Sequence, residues 1–184
     1  PNVSLRYIEK PENLMEPDMI VLPGTKSTIA DLQWLRQNGL EAAILHAQDR
    51  GSIVFGICGG YQMLGERISD PDQVEAAGVT SIRGLGLLPM ETVFHGEKVQ
   101  RQTEGSFGTV PGPLSSLSGL RYRGYEIHMG RSEAPLPPIT AGNNVYGTYI
   151  HGVFDEAGIA QAIVADLCRR KGLDPSEAQT FDPE

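Results

Sequence analysis

Only two cysteines, Cys58 and Cys168, occur in this chain of 184 residues. So few in a chain of this size exclude a disulfide framework. They form no Cys-x-x-Cys pair, so a zinc site of that kind is not expected. Long apolar runs are also missing. No stretch of about 18 apolar residues exists, and no transmembrane helix is expected. No signal peptide is visible at the start. Positive charge is scarce: 15 Lys and Arg stand against 23 Asp and Glu, for a formal net charge of −8. With no basic stripe, nucleic acid is not an expected partner. No Gly-x4-Gly-Lys-Ser/Thr phosphate loop is present. Gly24-Thr25-Lys26-Ser27 shares its flavour but lacks the upstream glycine spacing. Internal repeats and low-complexity tracts are absent as well. What remains is 40% hydrophobic, enough for one core and one domain of ordinary size. The expected setting is a reducing cytoplasm, where a free thiol can work.

The segment Ser52-Ile53-Val54-Phe55-Gly56-Ile57-Cys58-Gly59-Gly60-Tyr61-Gln62-Met63-Leu64-Gly65 is the most informative. A short apolar run ends in a cysteine set among glycines, and a helix-compatible stretch follows. Strand, sharp turn and helix is the layout of a nucleophile elbow, which lifts one reactive side chain above a sheet. Glycine allows the unusual dihedrals and close backbone approach such a turn demands. At a helix N-terminus the unpaired N–H groups and the macrodipole would favour thiolate over thiol. The same residues also suit a buried structural cysteine.

A nucleophile needs a base. Of four histidines, His151 stands out. It follows Asn144-Val145-Tyr146-Gly147-Thr148-Tyr149-Ile150, an alternating aromatic and β-branched pattern, and it precedes Gly152. That places it at a strand's end, where chemistry gathers in open α/β sheets. His46 and His95 read as surface or structural residues, and Cys168 reads as packing on a helix.

The chain pattern predicts strands over 3–8, 19–22, 53–57, 90–94, 98–104, around 124–128 and over 145–150. Helical stretches are expected over 12–15, from Ser27 or Thr28 to 37, over 39–49, from 60 until Ser69-Asp70-Pro71 stops it, and over 158–171. Residues 72–85 read as loop, and 84–89 as irregular. His95-Gly96-Glu97 reads as a hairpin joining two strands. Residues 134–138 read as a proline-rich loop, and those after Asp174 as a polar tail.

Gly56-Ile57-Cys58-Gly59-Gly60-Tyr61-Gln62 with Tyr149-Ile150-His151-Gly152 resembles the triad-type (class I) glutamine amidotransferases. Leu22-Pro23-Gly24-Thr25-Lys26-Ser27-Thr28 and Gly124-Tyr125-Glu126-Ile127-His128-Met129-Gly130 are similar to the cobyric acid synthase branch of that family. Cobyrinic acid diamide synthases and a cell-wall amidating partner share related motifs. Four motifs in the family's order cover most of the chain. The resemblance implies an α/β three-layer sandwich with a central, mostly parallel sheet, a flavodoxin-like core and an antiparallel strand extension. It implies a single domain over 1–184, with an earlier strand and an ATP-using synthetase domain upstream, so the chain, which begins at Pro1, is expected to be a fragment.

The activity implied is glutamine hydrolysis through a cysteine thioester, with Cys58 as nucleophile and His151 as proton shuttle. Elbow geometry makes the Gly59 N–H one oxyanion donor, and resemblance makes Gly24 the other. An ordinary turn is the alternative for Pro23-Gly24. Gln62 contacts substrate glutamine by resemblance, or else it packs. Tyr125, Glu126 and His128 line the site by resemblance, with a satisfied structural role as the alternative for His128. Alternation would set Tyr125 and Ile127 on one face of a strand, with Glu126 and His128 on the other. No cofactor or metal is expected in this domain. ATP and Mg2+ are expected in the synthetase domain, which would amidate a corrinoid, adenosylcobyrinic acid a,c-diamide, in cobalamin biosynthesis. Many relatives carry a carboxylate two residues after the histidine, and here that position is Val153. Asp155 and Glu126 are candidates for the third role, and a Cys–His dyad is the preferred reading.

Overall fold

The computed structural model describes residues 3–132 and 137–177. Along the chain run β1 (Met19–Leu22), α1 (Thr28–Gln37), α2 (Leu40–Asp49), β2 (Ile53–Ile57), α3 (Gly59–Leu64), β3 (Arg67–Ser69) and β4 (Ser81–Arg83). They are followed by β5 (Glu91–Ser106), β6 (Arg121–Ser132), β7 (Thr140–Gly142), β8 (Val145–Thr148) and α4 (Ala157–Arg170). One sheet has the order β1-β2-β8-β7, with β1, β2 and β8 parallel and β7 antiparallel to β8. A second sheet, β4-β3-β5-β6, is mostly antiparallel and forms the expected extension.

β2 explains the layering. Its residues are buried on both faces, so its sequence is a continuous apolar run instead of an alternating one. Successive side chains point to opposite faces. Val54 joins Ile20 and Leu22 of β1, Ile29 and Leu32 of α1, and Ile44 and Ala47 of α2. Ile53 and Phe55 join Tyr146 of β8 with Ile159 and Ile163 of α4. Two cores on either side of one sheet make three layers. Burying each large side chain is worth roughly 1.5–3 kcal/mol.

The parallel register sets the level of the site. Leu22 pairs with Gly56, and Gly56 with Gly147. The loops after β1, β2 and β8 therefore leave one end of the sheet side by side.

Several expectations are corrected. Residues 3–8 form no strand, because a strand needs a neighbour to satisfy its backbone and none pairs with this segment among the described residues. Leu5 and Tyr7 are 78% and 93% exposed. The hairpin at His95-Gly96-Glu97 is replaced by one continuous strand. Both halves of β5 pair with β6, and the irregularity between Val93 and Lys98 is a bulge in that ladder. The helix from the elbow ends at Leu64, since Gly65 turns extended (φ −67°, ψ 179°) and β3 follows at once. The 72–85 segment contributes β4, which pairs with β3. The last parallel strand stops at Thr148, before the predicted Ile150. Ser27 holds the N-cap position of α1, but its side chain makes no cap. The Glu75 carboxylate instead accepts the Thr28 and Ile29 N–H groups. Residues 134–136 of the proline-rich loop and 178–184 of the polar tail lie outside the described residues, whereas Pro175–Glu177 form a 3-10 turn.

A close backbone contact supporting this arrangement is between α3 and β1. A Cβ on Gly60 would lie 2.1 Å from the Leu22 carbonyl oxygen, a backbone atom that cannot swing aside. One on Gly96 would meet nothing within 4 Å. Gly60→Ala is expected to destabilise the fold by about 3 kcal/mol or more. Gly96→Ala should leave stability within about 0.5 kcal/mol. Urea unfolding midpoints compare the two, and equal midpoints would contradict the packing described.

Candidate active site

Cys58 is the N-cap residue of α3 and carries the strain of the turn itself, at φ 51° and ψ −109°. A positive φ in a residue with a side chain is costly and is held here by its surroundings. The Cys58 N–H donates to the Thr148 carbonyl at 2.8 Å, tying the elbow to the neighbouring strand. The Gly60 N–H donates to the Pro23 carbonyl at 3.1 Å, which pins the β1 loop over α3. The glycines on either side of the turn serve close approach more than unusual dihedrals. On Gly59 a Cβ would lie 2.6 Å from Thr25 Cγ2.

The three loops meet at Gly24. A Cβ there would lie 2.9 Å from His151 Cε1, 3.6 Å from His151 Nδ1 and 3.5 Å from Cys58 Cβ. Nucleophile candidate, base candidate and the Gly24 backbone thus share one small space. The β6 strand closes it from above. Cys58 Sγ donates its thiol proton to the Ile127 carbonyl at 3.4 Å. Tyr125 and His151 exchange backbone hydrogen bonds of 3.2 and 2.8 Å, and their rings stack with centroids 5.1 Å apart and an interplanar angle of 5°.

Electrostatics differ from the expectation drawn from the helix terminus. Burial pushes the Cys58 thiol up to about 11, outweighing the Gly59 N–H that favours the thiolate. Burial also lowers His151 below the ordinary imidazole value, against the opposing pull of the Ile127 carbonyl. At neutral pH the resting pair is a neutral thiol and a neutral imidazole. The S–H bond to a carbonyl oxygen agrees with this, since a thiolate there would face a lone pair. His151 Nε2 is buried and has no hydrogen-bond partner among the described residues.

The remaining predicted residues divide. Gln62 is 2% exposed, and both ends of its amide are used. Thr28 Oγ1 donates to Oε1 at 3.2 Å, and Nε2 donates to the Met129 carbonyl at 2.9 Å. In the resting structure it is a tie between α1 and β6. Glu126 and His128 share a face, as alternation predicts, with 3.8 Å between Glu126 Oε2 and His128 Nε2. Glu126 also accepts two bonds from Arg101 at 3.1 and 3.2 Å. His128 stacks on Tyr149 at 4.0 Å, and its Nδ1 lies 3.0 Å from the Gly130 carbonyl. Burial lowers its pKa. His46 and His95 are exposed. Val153 is buried, and Asp155 caps the turn by donating its N–H to the Gly152 carbonyl. The Ile127 carbonyl and Glu75 are contributors that sequence reading missed. A backbone carbonyl leaves no mark in composition. Glu75 reaches α1 only because Asp70, wholly buried, gathers the N–H groups of Val74, Glu75 and Ala76.

Comparison with known proteins agrees with this geometry. Residues 1–159 match the CobB/CobQ-like glutamine amidotransferase domain. The chain is 51% identical to the cobyric acid synthase of Lachnoclostridium phytofermentans, over 99% of this chain and 40% of that protein. It is 44% identical to the cobyric acid synthase of Photorhabdus laumondii, over 99% and 39%, and 43% identical to that of Ruminiclostridium cellulolyticum, over 97% and 38%. It therefore spans about 40% of the length of these curated relatives. Among solved structures it is similar in fold to a glutamine amidotransferase, with a TM-score of 0.61, 16% identity and coverage of 91% and 87% of the two chains. PurLQS from Thermotoga maritima gives a TM-score of 0.56, 18% identity and coverage of 84% and 82%.

The neutral resting pair has a measurable consequence. In a Cys168→Ser background, alkylation of Cys58 by iodoacetamide should accelerate continuously from pH 7 upward, with its inflection near 11. A thiolate–imidazolium pair would instead give a plateau between about pH 6 and 8, and that plateau would contradict the burial argument.

Proposed function

Because the chain belongs to the CobB/CobQ-like glutamine amidotransferase domain family, we propose that it hydrolyses glutamine through a thioester on Cys58. The ammonia released would serve an ATP-dependent amidation of carboxylate side chains on adenosylcobyrinic acid a,c-diamide, in the cobalamin pathway. The observation that carries the chemical part is the meeting of Gly24, Cys58 and His151 in one space at the carboxyl ends of three adjacent parallel strands. The identity of the curated relatives supports the corrinoid step.

His151 takes the thiol proton as Sγ attacks the carboxamide carbon of glutamine. A neutral imidazole suits this role, since a protonated one has no lone pair to accept with. The oxyanion that forms is held by backbone N–H groups of Gly59 and Gly24, each donor worth about 3 kcal/mol of barrier. His151 then gives its proton to the leaving nitrogen as the C–N bond breaks, and ammonia departs. Water attacks the thioester with His151 as base, releasing glutamate and restoring the thiol. The imidazole carries the proton only within each half-reaction and is neutral again once ammonia has left and once the thiol is re-formed, so no fixed counter-charge is required between turnovers.

Tyr125, Glu126 and His128 lie on the strand that covers the nucleophile, which supports a place for them beside bound glutamine. The tie made by Gln62 sets the height of that strand above Cys58. ATP and Mg2+ chemistry is assigned to the remaining length that the curated relatives possess, acting on the corrinoid in the cytoplasm, with this domain as its ammonia source.

Intact-mass labelling with 6-diazo-5-oxo-norleucine tests the reading. A single adduct is expected on the wild type, absent in Cys58→Ser and suppressed by excess glutamine. His151→Ala should lower glutamine turnover roughly 10²- to 10⁴-fold. An adduct that survives Cys58→Ser, or a protein that takes none even with its ATP-dependent partner present, would overturn it.

A further inference from the structure

An imidazole that shuttles protons must be held in one plane and one tautomer, a task usually given to a carboxylate. Here no carboxylate hydrogen-bonds the His151 ring among the described residues; the Ile127 carbonyl bonds the ring and so bears on its tautomer, which leaves the plane of the ring to be held. Glu126 is engaged by Arg101 and faces His128. Asp155 lies beside Gly152, with its Oδ2 3.2 Å from where a Cβ on that glycine would be. Val153 occupies the position where a carboxylate would be sought.

We propose that Tyr125 is the positioning residue for His151, holding the imidazole by ring stacking and by a two-way backbone bridge in place of a carboxylate. The inference rests on the glutaminase reading for its chemistry, but its geometry stands independently. The phenol ring lies parallel to the imidazole, at 5° and 5.1 Å. The two residues also exchange both backbone hydrogen bonds, so ring and main chain are fixed together. Such proximity needs Gly124 just before Tyr125, where a Cβ would lie 2.2 Å from the His151 carbonyl oxygen. Close to the imidazole's Cε1, the bare Gly24 backbone limits its movement on another side.

Stacking differs from a carboxylate in one useful way. A carboxylate would favour the imidazolium and raise its pKa. An aromatic face orients the ring while adding no charge. That matches a site whose task begins with a neutral base and a neutral thiol. Tyr125 itself is 46% exposed, so its outer face is open while its inner face covers the base.

The test compares Tyr125→Phe and Tyr125→Ala with wild type. Phe keeps the stack, so Tyr125→Phe should rescue most of the kcat that Tyr125→Ala loses. Ala should lower kcat about tenfold while KM stays within about twofold. In ¹⁵N-labelled protein, the His151 ring nitrogens should give one sharp set of signals in wild type and Tyr125→Phe, and exchange-broadened signals from a rocking ring in Tyr125→Ala. The inference is overturned if Ala turns over like wild type, if Phe is as damaging as Ala, or if the loss falls on KM, which would mark a substrate contact. Wild type without glutamine turnover even with its ATP-dependent partner present would sink the glutaminase reading alone; the nitrogen spectra would still decide whether Tyr125 holds the ring.

Discussion

Backbone approach at the carboxyl end of β2 is the constraint on which the rest of this structure depends. α3 starts so close to β1 that the Gly60 Cα sits against the Leu22 carbonyl, and the Gly60 N–H reaches the Pro23 carbonyl. This closeness forces the chain to reverse within one residue, and the strain falls on Cys58 at positive φ. It also brings the Pro23-Gly24 loop alongside the cysteine, so the thiol and the Gly24 backbone come together from separate strands without any long side chain. Parallel pairing then adds β8 at the same level, and His151 arrives three residues beyond it.

The electrostatic character of the site follows from the same packing. Enclosing the thiol removes water that would solvate a thiolate, and the cost exceeds what one N–H at a short helix can return. The same enclosure keeps the imidazole neutral. The resting pair thus combines a protonated thiol with an imidazole free to accept its proton. Such a resting state would suit the proposed glutaminase role, in which ammonia is of use only where a second reaction is ready for it.

The β5–β6 arm closes the site, and its attachments are specific. Gln62 links it to α1 through Met129, Ile127 meets the thiol, and Tyr125 is bridged to His151. α1 is in turn held at its N-terminus by Glu75, and Asp70 orders the loop that delivers Glu75. The Gly24 loop lies just before that N-terminus, so contacts made beside the second sheet bear on the placement of Gly24 in the first.

Much of this was legible in the order of residues. The apolar run of β2, the glycines around Cys58, the Asn38-Gly39 stop and the aromatic alternation leading to His151 each act within a few residues, and each produced the element expected. The α/β class and the placing of Cys58 and His151 at one end of the sheet were therefore readable from sequence. Residues 3–8 have strand periodicity but no neighbour, so periodicity did not suffice. His95-Gly96-Glu97 has turn chemistry, yet pairing of both flanks with β6 kept the strand running. The protonation of Cys58, the tie made by Gln62 and the partner of the His151 ring were decided only in three dimensions. Desolvation and pairing are set by which distant segments arrive at a residue, and a local pattern carries no record of them.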